Sequence, residues 1–333
     1  MPNVVVITGG TAGVGRATTC RFAQAGASVA VLARGKAGLD ATLADIEARG
    51  ARGLAIETDV AEADQVERAA ERVERELGPI DVWINNAMTT TVGPVESITP
   101  EELERVTAVC YLGFVWGTQA ALARMRPRNR GTIIQVGSAL AYRSIPLQAP
   151  YCAAKHAIHG FTDSLRSELA HDGVDIDLCM VQLPAVNTPQ FGWCRNKTGR
   201  AVEPVPPIFQ PEIIAEALFE AARHPRREIF LGASSIKAIV GNKLVPGFAD
   251  RYLASRGYSG QLLDAPARDR PDNLFAPVAR DAGAHGAFDD RARSRDLVAR
   301  IATRLGAAGT QLAIAAAAAA LVIGAGALLR RIA

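Results

Sequence analysis

Seven short apolar runs recur along this chain with helix-length segments between them, and that alternation leaves few folds open. The runs lie near Asn3–Thr8, Ser28–Ala33, Arg52–Thr58, Asp81–Asn85, Gly131–Gly137, Val174–Val181 and Glu228–Leu231. Strands separated by helices pair in parallel through crossovers, and a parallel sheet needs helices on both faces to bury it. The pattern therefore predicts an α/β fold: a doubly wound, mostly parallel seven-stranded sheet. Thr99, Pro100, Glu101 and Glu102 read as a helix start, with Thr99 as N-cap, and the helix should run to about Met125 before Pro127 ends it.

Two stretches break the rhythm. From Val186 to Gln210, Pro189, Pro204, Pro206 and Pro207 surround Phe191 and Trp193, which reads as a long ordered loop of the kind that serves as a lid or binding loop. Beyond Gly232 the sequence becomes polar and rich in Asp and Arg, with Pro266, Pro271 and Pro277. The expected organisation is a nucleotide-binding catalytic domain over 1–232, a loosely ordered extension over 233–304, and an apolar Ala-rich helix over 305–331.

Composition excludes several classes. Thirty-seven basic against 34 acidic residues give a net charge of +3, too balanced to argue for nucleic acid. Cys20, Cys110, Cys152, Cys179 and Cys194 are scattered, without a CxxC pair, so neither a disulfide framework nor a zinc site is indicated. His156, His159, His171, His224 and His285 have no metal-binding spacing, and no metal is expected. The N-terminus runs straight into Val4-Val5-Val6-Ile7, which reads as a first buried strand rather than a signal peptide, so a cytoplasmic location is expected.

Three motifs carry chemistry. Thr8-Gly9-Gly10-Thr11-Ala12-Gly13-Val14-Gly15 follows the first strand and opens the first helix, where glycines allow a tight turn and let backbone N–H groups approach a pyrophosphate. The second strand ends Ala33-Arg34, with an arginine suited to a 2′-phosphate where NAD enzymes place an acid. That favours NADP over NAD. Tyr151 and Lys155, four residues apart on a helix, stack a phenol and an ammonium on one face, and a nearby cation lowers a phenol's pKa. The pair is a candidate proton-transfer centre.

Taken together, Thr8-Gly-x-x-x-Gly13-x-Gly15, Asp59-Val60, Asn85-Asn86-Ala87, Ser138 and Tyr151-x-x-x-Lys155 closely resemble the short-chain dehydrogenase/reductase family over about residues 3–232. The resemblance implies a Rossmann-like fold and hydride transfer between a nicotinamide and a carbonyl or secondary alcohol. It implies Ser138, Tyr151 and Lys155 as catalytic residues. It further implies cofactor contacts from Gly9, Gly13, Val14, Gly15, Asp59, Val60, Asn85, Ala87 and Thr188, together with Tyr151 and Lys155. Lys155 would hold the nicotinamide ribose and depress the Tyr151 pKa, and Ser138 would hydrogen-bond the substrate oxygen. Family members commonly form dimers or tetramers, so a homo-oligomer is expected.

The chain departs from the family in three places. Met88 stands where the family has glycine after Asn-Asn-Ala, Ala185 follows Pro184 where the usual pair is Pro-Gly, and Cys110 stands where an asparagine holds a water that links the lysine to solvent. A thiol is too weak a hydrogen-bonding group to replace that asparagine fully, so a different proton path, or a slow enzyme, is expected. Met88, Leu140, Tyr142, Phe191 and Trp193 are expected near the mouth of an apolar substrate pocket. An alternative reading is a cofactor-binding scaffold or sensor with impaired catalysis. Finally, Leu312–Leu329 contains only Leu, Ile, Val, Ala and Gly and is followed by Arg330 and Arg331. As a helix it would be about 27 Å long, near the thickness of a bilayer core, so it is a candidate single membrane anchor for a cytoplasmic domain. A soluble helix packed on a partner is the competing reading.

Overall fold

A computed structural model of the chain describes residues 2–296; Met1 and residues 297–333, with the Leu312–Leu329 run, lie outside the described residues. The central sheet comprises β1 (Val4–Thr8), β2 (Ser28–Ala33), β3 (Gly53–Glu57), β4 (Val82–Asn85), β5 (Gly131–Val136), β6 (Ile176–Gln182) and β7 (Glu228–Phe230). All seven strands are parallel, in the order β7-β6-β5-β4-β1-β2-β3. Every residue of β1 is buried, as a central strand covered on both faces must be. The strand order reverses between β1 and β4, and such a switch point opens a crevice at the carboxyl ends of the strands.

One face is covered by α1 (Gly13–Gln24), α2 (Lys36–Glu47) and α7 (Pro211–Arg223), whose Phe22, Leu39 and Leu218 share a core with Val5, Ile7 and Ile84. Phe22 meets Phe219 edge to face at 5.2 Å, and the Arg21 guanidinium lies over Phe219. The other face carries α3 (Ala63–Leu77), α4 (Pro100–Thr107), α5 (Gly113–Met125) and α6 (Ala149–His171), with Val66, Val106, Ala121 and Leu165 in the core. The expected cap is present: the Glu102 N–H donates to Thr99 Oγ1 and the Glu102 carboxylate accepts from the Thr99 N–H at 3.0 Å. A π-turn over Ala108–Leu112 joins α4 to α5. Among the described residues, Pro100–Arg128 is the one helical run long and apolar enough to cross a membrane. Its buried Val106, Phe114, Ala121 and Met125 place it in the protein core.

The Val186–Gln210 segment is ordered by short pairings: Arg195–Asn196 beside Thr91–Val92, and Arg200–Val202 against Leu262–Pro266. The stretch after Gly232 differs from the loose extension expected of it. It forms α8 (Ala233–Leu244) and α9 (Pro246–Arg256), and then a strap over residues 272–289 that returns across the sheet's carboxyl edge. The strap is tied by the Asn273 N–H to Trp193 O and the Gly286 N–H to Asn187 O, and Leu274 is fully buried in the main core. A polar composition hid this because the strap is held by backbone hydrogen bonds, polar side-chain pairs such as Arg16–Asp281 and Arg195–Asp272, and one buried leucine, a pattern with no hydrophobic period.

Candidate active site

The β1–α1 loop is shaped by its glycines. Gly9 has a φ of +66°, and a Cβ there would lie 2.7 Å from Ala87 Cα; a Cβ on Gly15 would lie 2.1 Å from Gly9 O. No other residue fits either position without moving backbone. Asn86 Nδ2 donates to Thr8 O and Gly9 O and so clips the loop to the end of β4.

From this loop a cavity of about 490 Å³ runs along the carboxyl edge, from Arg34 and Gly35 at one end to Trp193, Val205 and Leu253 at the other. Gly9, Gly13, Val14, Gly15, Arg34, Asp59, Val60, Ala87, Ser138, Tyr151, Lys155 and Thr188 all line it. Asn85 does not. It is fully buried behind the groove, where its Oδ1 accepts from Trp83 Nε1 at 2.8 Å and its Nδ2 faces Thr118 Oγ1, Gln135 Oε1 and Phe114 O. The expectation that Asn85 touches the cofactor is therefore corrected. Its amide cross-links β4, β5 and α5, while the next residue, Asn86, reaches the glycine loop.

Ser138 follows β5 and caps a short turn, its Oγ accepting the Leu140 N–H at 3.2 Å. Its hydroxyl also lies within hydrogen-bonding reach of the Tyr151 phenol. Ahead of α6, Leu147 sits in the left-handed region at φ 67°, and its carbonyl accepts the Gly93 N–H. This strained turn aims the first turn of α6, and with it Tyr151, into the groove. Nothing in the sequence marks Leu147 for that role.

Lys155 is buried, donates from Nζ to Val136 O at 2.7 Å, and lies 4.5 Å from the Phe114 ring centre and 5.5 Å from that of Tyr151. Burial lowers its pKa to about 8. The Tyr151 phenol is pushed up, chiefly by burial, and the Ser138 hydrogen bond lowers it only in part. The net direction is opposite to the depression expected from a neighbouring lysine, because desolvation is the largest cause. At neutral pH the phenol holds its proton.

Cys110 is fully buried, with its thiol donating to Thr89 O at 3.0 Å and its sulfur facing the Thr89 N–H at 3.3 Å. Burial raises its pKa, so it is a neutral thiol clasping backbone. Met88 lines the cavity outside the left-handed region, so a side chain stands there without backbone strain. Leu140, Phe191 and Trp193 also line it, but Tyr142 does not: its hydroxyl binds His159 and Glu228, and its ring packs near Phe230. Residues the sequence did not flag complete the mouth: Ile145, Gln148, Val205 and Leu253.

At the opposite end the strap meets the groove. Arg34 donates to the carbonyls of Asn273, Leu274 and Phe275, and Arg105 pairs with Asp59 at 2.5 Å while donating to Leu274 O. The Gly13 N–H donates to Gly283 O, and buried Arg16 pairs with Asp45 and with Asp281 of the strap. Carbonyls do not neutralise a guanidinium, so Arg34 keeps its charge at this end of the groove.

A seven-stranded parallel sheet with a glycine loop, Ser138 and Tyr151 gathered on one edge is the arrangement of a nucleotide-dependent oxidoreductase. Residues 3–197 match the family model for short chain dehydrogenase, and the chain belongs to that family. It is an NAD(P)-dependent oxidoreductase acting on CH–OH or C=O groups. It is 29% identical over 279 residues to the uncharacterized oxidoreductase YxnA of Bacillus subtilis, covering 82% of this chain and 77% of that one. It is 30% identical over 232 residues to 17-beta-hydroxysteroid dehydrogenase 13 of Homo sapiens, covering 68% and 74%. In fold it is similar to an alcohol dehydrogenase from the archaeon Thermococcus sibiricus, solved in complex with 5-hydroxy-NADP. The TM-score is 0.60 at 24% identity, over 69% of this chain and 95% of that one.

Proposed function

We propose that the protein is an NADP-dependent reductase or dehydrogenase of an apolar ketone or secondary alcohol, with Tyr151 as its acid/base. The observation that carries the reading is the convergence of Ser138, Tyr151 and Lys155 on one wall of the cavity that begins at the glycine loop. The groove suits a dinucleotide: Gly9 and Gly15 let the loop pack on Ala87 and on its own backbone more closely than any Cβ allows while both residues line the cavity, and Arg34 supplies a cation at the ribose end with no carboxylate at residues 33–35. Gly9, Gly13, Val14 and Gly15 would hold the pyrophosphate, Asp59 and Val60 the adenine, Arg34 the 2′-phosphate, and Ala87, Thr188 and Lys155 the nicotinamide half. Bound NADP would supply or accept the hydride.

The chain's own groups handle the proton. In reduction, Ser138 donates a hydrogen bond to the carbonyl oxygen and Tyr151 gives it the phenolic proton as charge develops there. The raised phenol pKa keeps that proton in place at neutral pH. In oxidation the same phenol must first lose its proton. Lys155, cationic below about pH 8, favours the phenolate that remains after donation. The apolar lining by Leu140, Ile145, Phe191 and Trp193 suits a lipophilic substrate. Residues 1–232 carry the catalytic groups in this reading, Leu253 and the 272–289 strap complete the groove, and Leu312–Leu329 would tether the chain to a membrane from the cytoplasmic side.

The test is to mix the full-length protein with NADPH or NADH and a panel of ketones and aldehydes of graded apolar bulk. NADPH oxidation by the wild type, lost in Tyr151→Phe with NADPH affinity kept, is expected. Cofactor binding with no turnover on any carbonyl would sink the proposal.

A further inference from the structure

The pair α8–α9 leaves its outer side unpaired. None of the residues of α9 is fully buried, although an isolated helix of this length is marginal in water and relies on packing of one face. Phe248 and Tyr252, one helical turn apart, are 65% and 56% exposed, and Leu244, Val245 and Tyr258 are exposed beside them in sequence. Of the nine exposed large apolar residues among the described residues, five fall within 244–258, which is a concentrated patch rather than the usual scatter.

The charge around the patch has one sign. Lys237, Lys243, Arg251 and Arg256 have no ion-pair partner among the described residues, and Asp250, the only acid in the two helices, is paired with Arg143 at 2.7 Å. Two copies meeting through this face would oppose cation to cation, whereas apolar residues ringed by unpaired Lys and Arg suit an anionic lipid surface.

The inner side of the same helices faces the active-site cavity: Ala238 and Leu253 line it together with Val205. The exit of the chain agrees. The Asp296 carboxylate accepts the Gly232 N–H at the start of α8, so the described chain ends about 18 Å or less along that helix from Leu244. The residues between Asp296 and the apolar Leu312–Leu329 run can span up to about 50 Å, enough to reach any bilayer on which the patch rests.

We propose that the outer face of α8–α9 is a membrane-docking surface that seats Phe248, Tyr252 and their apolar neighbours in an anionic bilayer, with the substrate mouth directly behind it. A lipophilic substrate then enters from the lipid phase past Leu253 rather than through water. Docking itself follows from the surface alone; the route of entry rests on the proposed reaction.

The experiment uses the full chain in a Cys20→Ser background, since Cys20 is the one cysteine that is not buried. Nitroxide labels are placed at Phe248→Cys, at Tyr252→Cys and, as a control on α3, at Arg75→Cys. Vesicles of phosphatidylcholine with and without about 30% phosphatidylserine are added, and label accessibility to oxygen and to a water-soluble nickel chelate is read by power saturation. On anionic vesicles the labels at 248 and 252 should lose nickel access at least fivefold and gain oxygen access, while the label at 75 stays aqueous. Vesicle-bound protein whose 248 and 252 labels stay nickel-accessible would overturn the proposal, leaving attachment to the C-terminal run alone. Protection that appears without vesicles as protein concentration rises would overturn it in favour of a second copy. For the route of entry, Phe248→Glu with Tyr252→Glu should raise KM at least fivefold for a ketone dissolved in vesicles and leave kinetics on a water-soluble ketone unchanged. Absence of any turnover would refute the reaction and leave the label result standing.

Discussion

Replacing Asn85 with alanine separates a buried cross-link from a cofactor ligand. Asn85 Oδ1 is the acceptor for the buried Trp83 indole N–H, and Asn85 Nδ2 donates to Gln135 Oε1 at 3.0 Å and to Thr118 Oγ1 at 3.1 Å. Thr118 keeps its bond from Gln135 Nε2 in the variant, but the Trp83 N–H and Gln135 Oε1 are orphaned in a fully buried setting. Each orphan costs about 1–3 kcal/mol, so Asn85→Ala should lose about 4 kcal/mol of stability. For a domain of this size that lowers Tm by on the order of 10 °C. Urea unfolding followed by tryptophan fluorescence measures the first quantity, and titration calorimetry with NADPH on the folded variant measures the second. Affinity should change less than about threefold. A variant within about 0.5 kcal/mol of wild type whose NADPH affinity falls tenfold would refute the structural role and restore Asn85 to the cofactor site.

Three further outcomes follow from the same geometry. Arg34→Ala should reduce the preference for NADPH over NADH by roughly 10- to 100-fold, the equivalent of one charge-assisted contact of about 1.5–3 kcal/mol; an unchanged ratio of the two dissociation constants would place the 2′-phosphate elsewhere. Lys155 has a folded pKa of about 8 against an ordinary lysine value of 10.5, so between those values the unfolded chain binds more protons and stability rises with pH. Urea titrations of wild type and Lys155→Met should therefore diverge in the wild type's favour by up to about 3 kcal/mol from pH 7 to pH 10.5, and a constant difference would contradict a strained buried cation. Cys110→Ala should cost about 1–2 kcal/mol by releasing Thr89 while kcat stays within about twofold; a tenfold fall in kcat at full stability would put the thiol in the proton path.

The sheet was legible in the sequence because buried parallel strands are short apolar runs rich in β-branched residues, as Val4–Ile7 and Val29–Ala33 are. The glycine loop was legible for a related reason: Gly9 and Gly15 answer to backbone contacts of 2.7 and 2.1 Å that no other residue satisfies. Asn85 and Asn86 were harder, since adjacent residues on a strand point to opposite sides and the spacing alone does not say which amide faces the groove. Leu147 and the strap were hidden. A left-handed leucine has no sequence signature, and Arg34 is held by the carbonyls of residues 273–275, groups that every residue carries. The direction of the Tyr151 shift also required the structure, because four-residue spacing brings Lys155 near while only the fold shows the phenol desolvated.

The central claim, that Tyr151 is the proton donor, is tested most directly by single-turnover reduction of a carbonyl substrate with 4-deuterated NADPH, comparing wild type with Tyr151→Phe at matched cofactor occupancy. The prediction is deuterium delivered to the carbinol carbon by the wild type and a loss of at least about a hundredfold in the rate for the variant, the lower end of what a positioned general acid contributes. Transfer by Tyr151→Phe at the wild-type rate would contradict it.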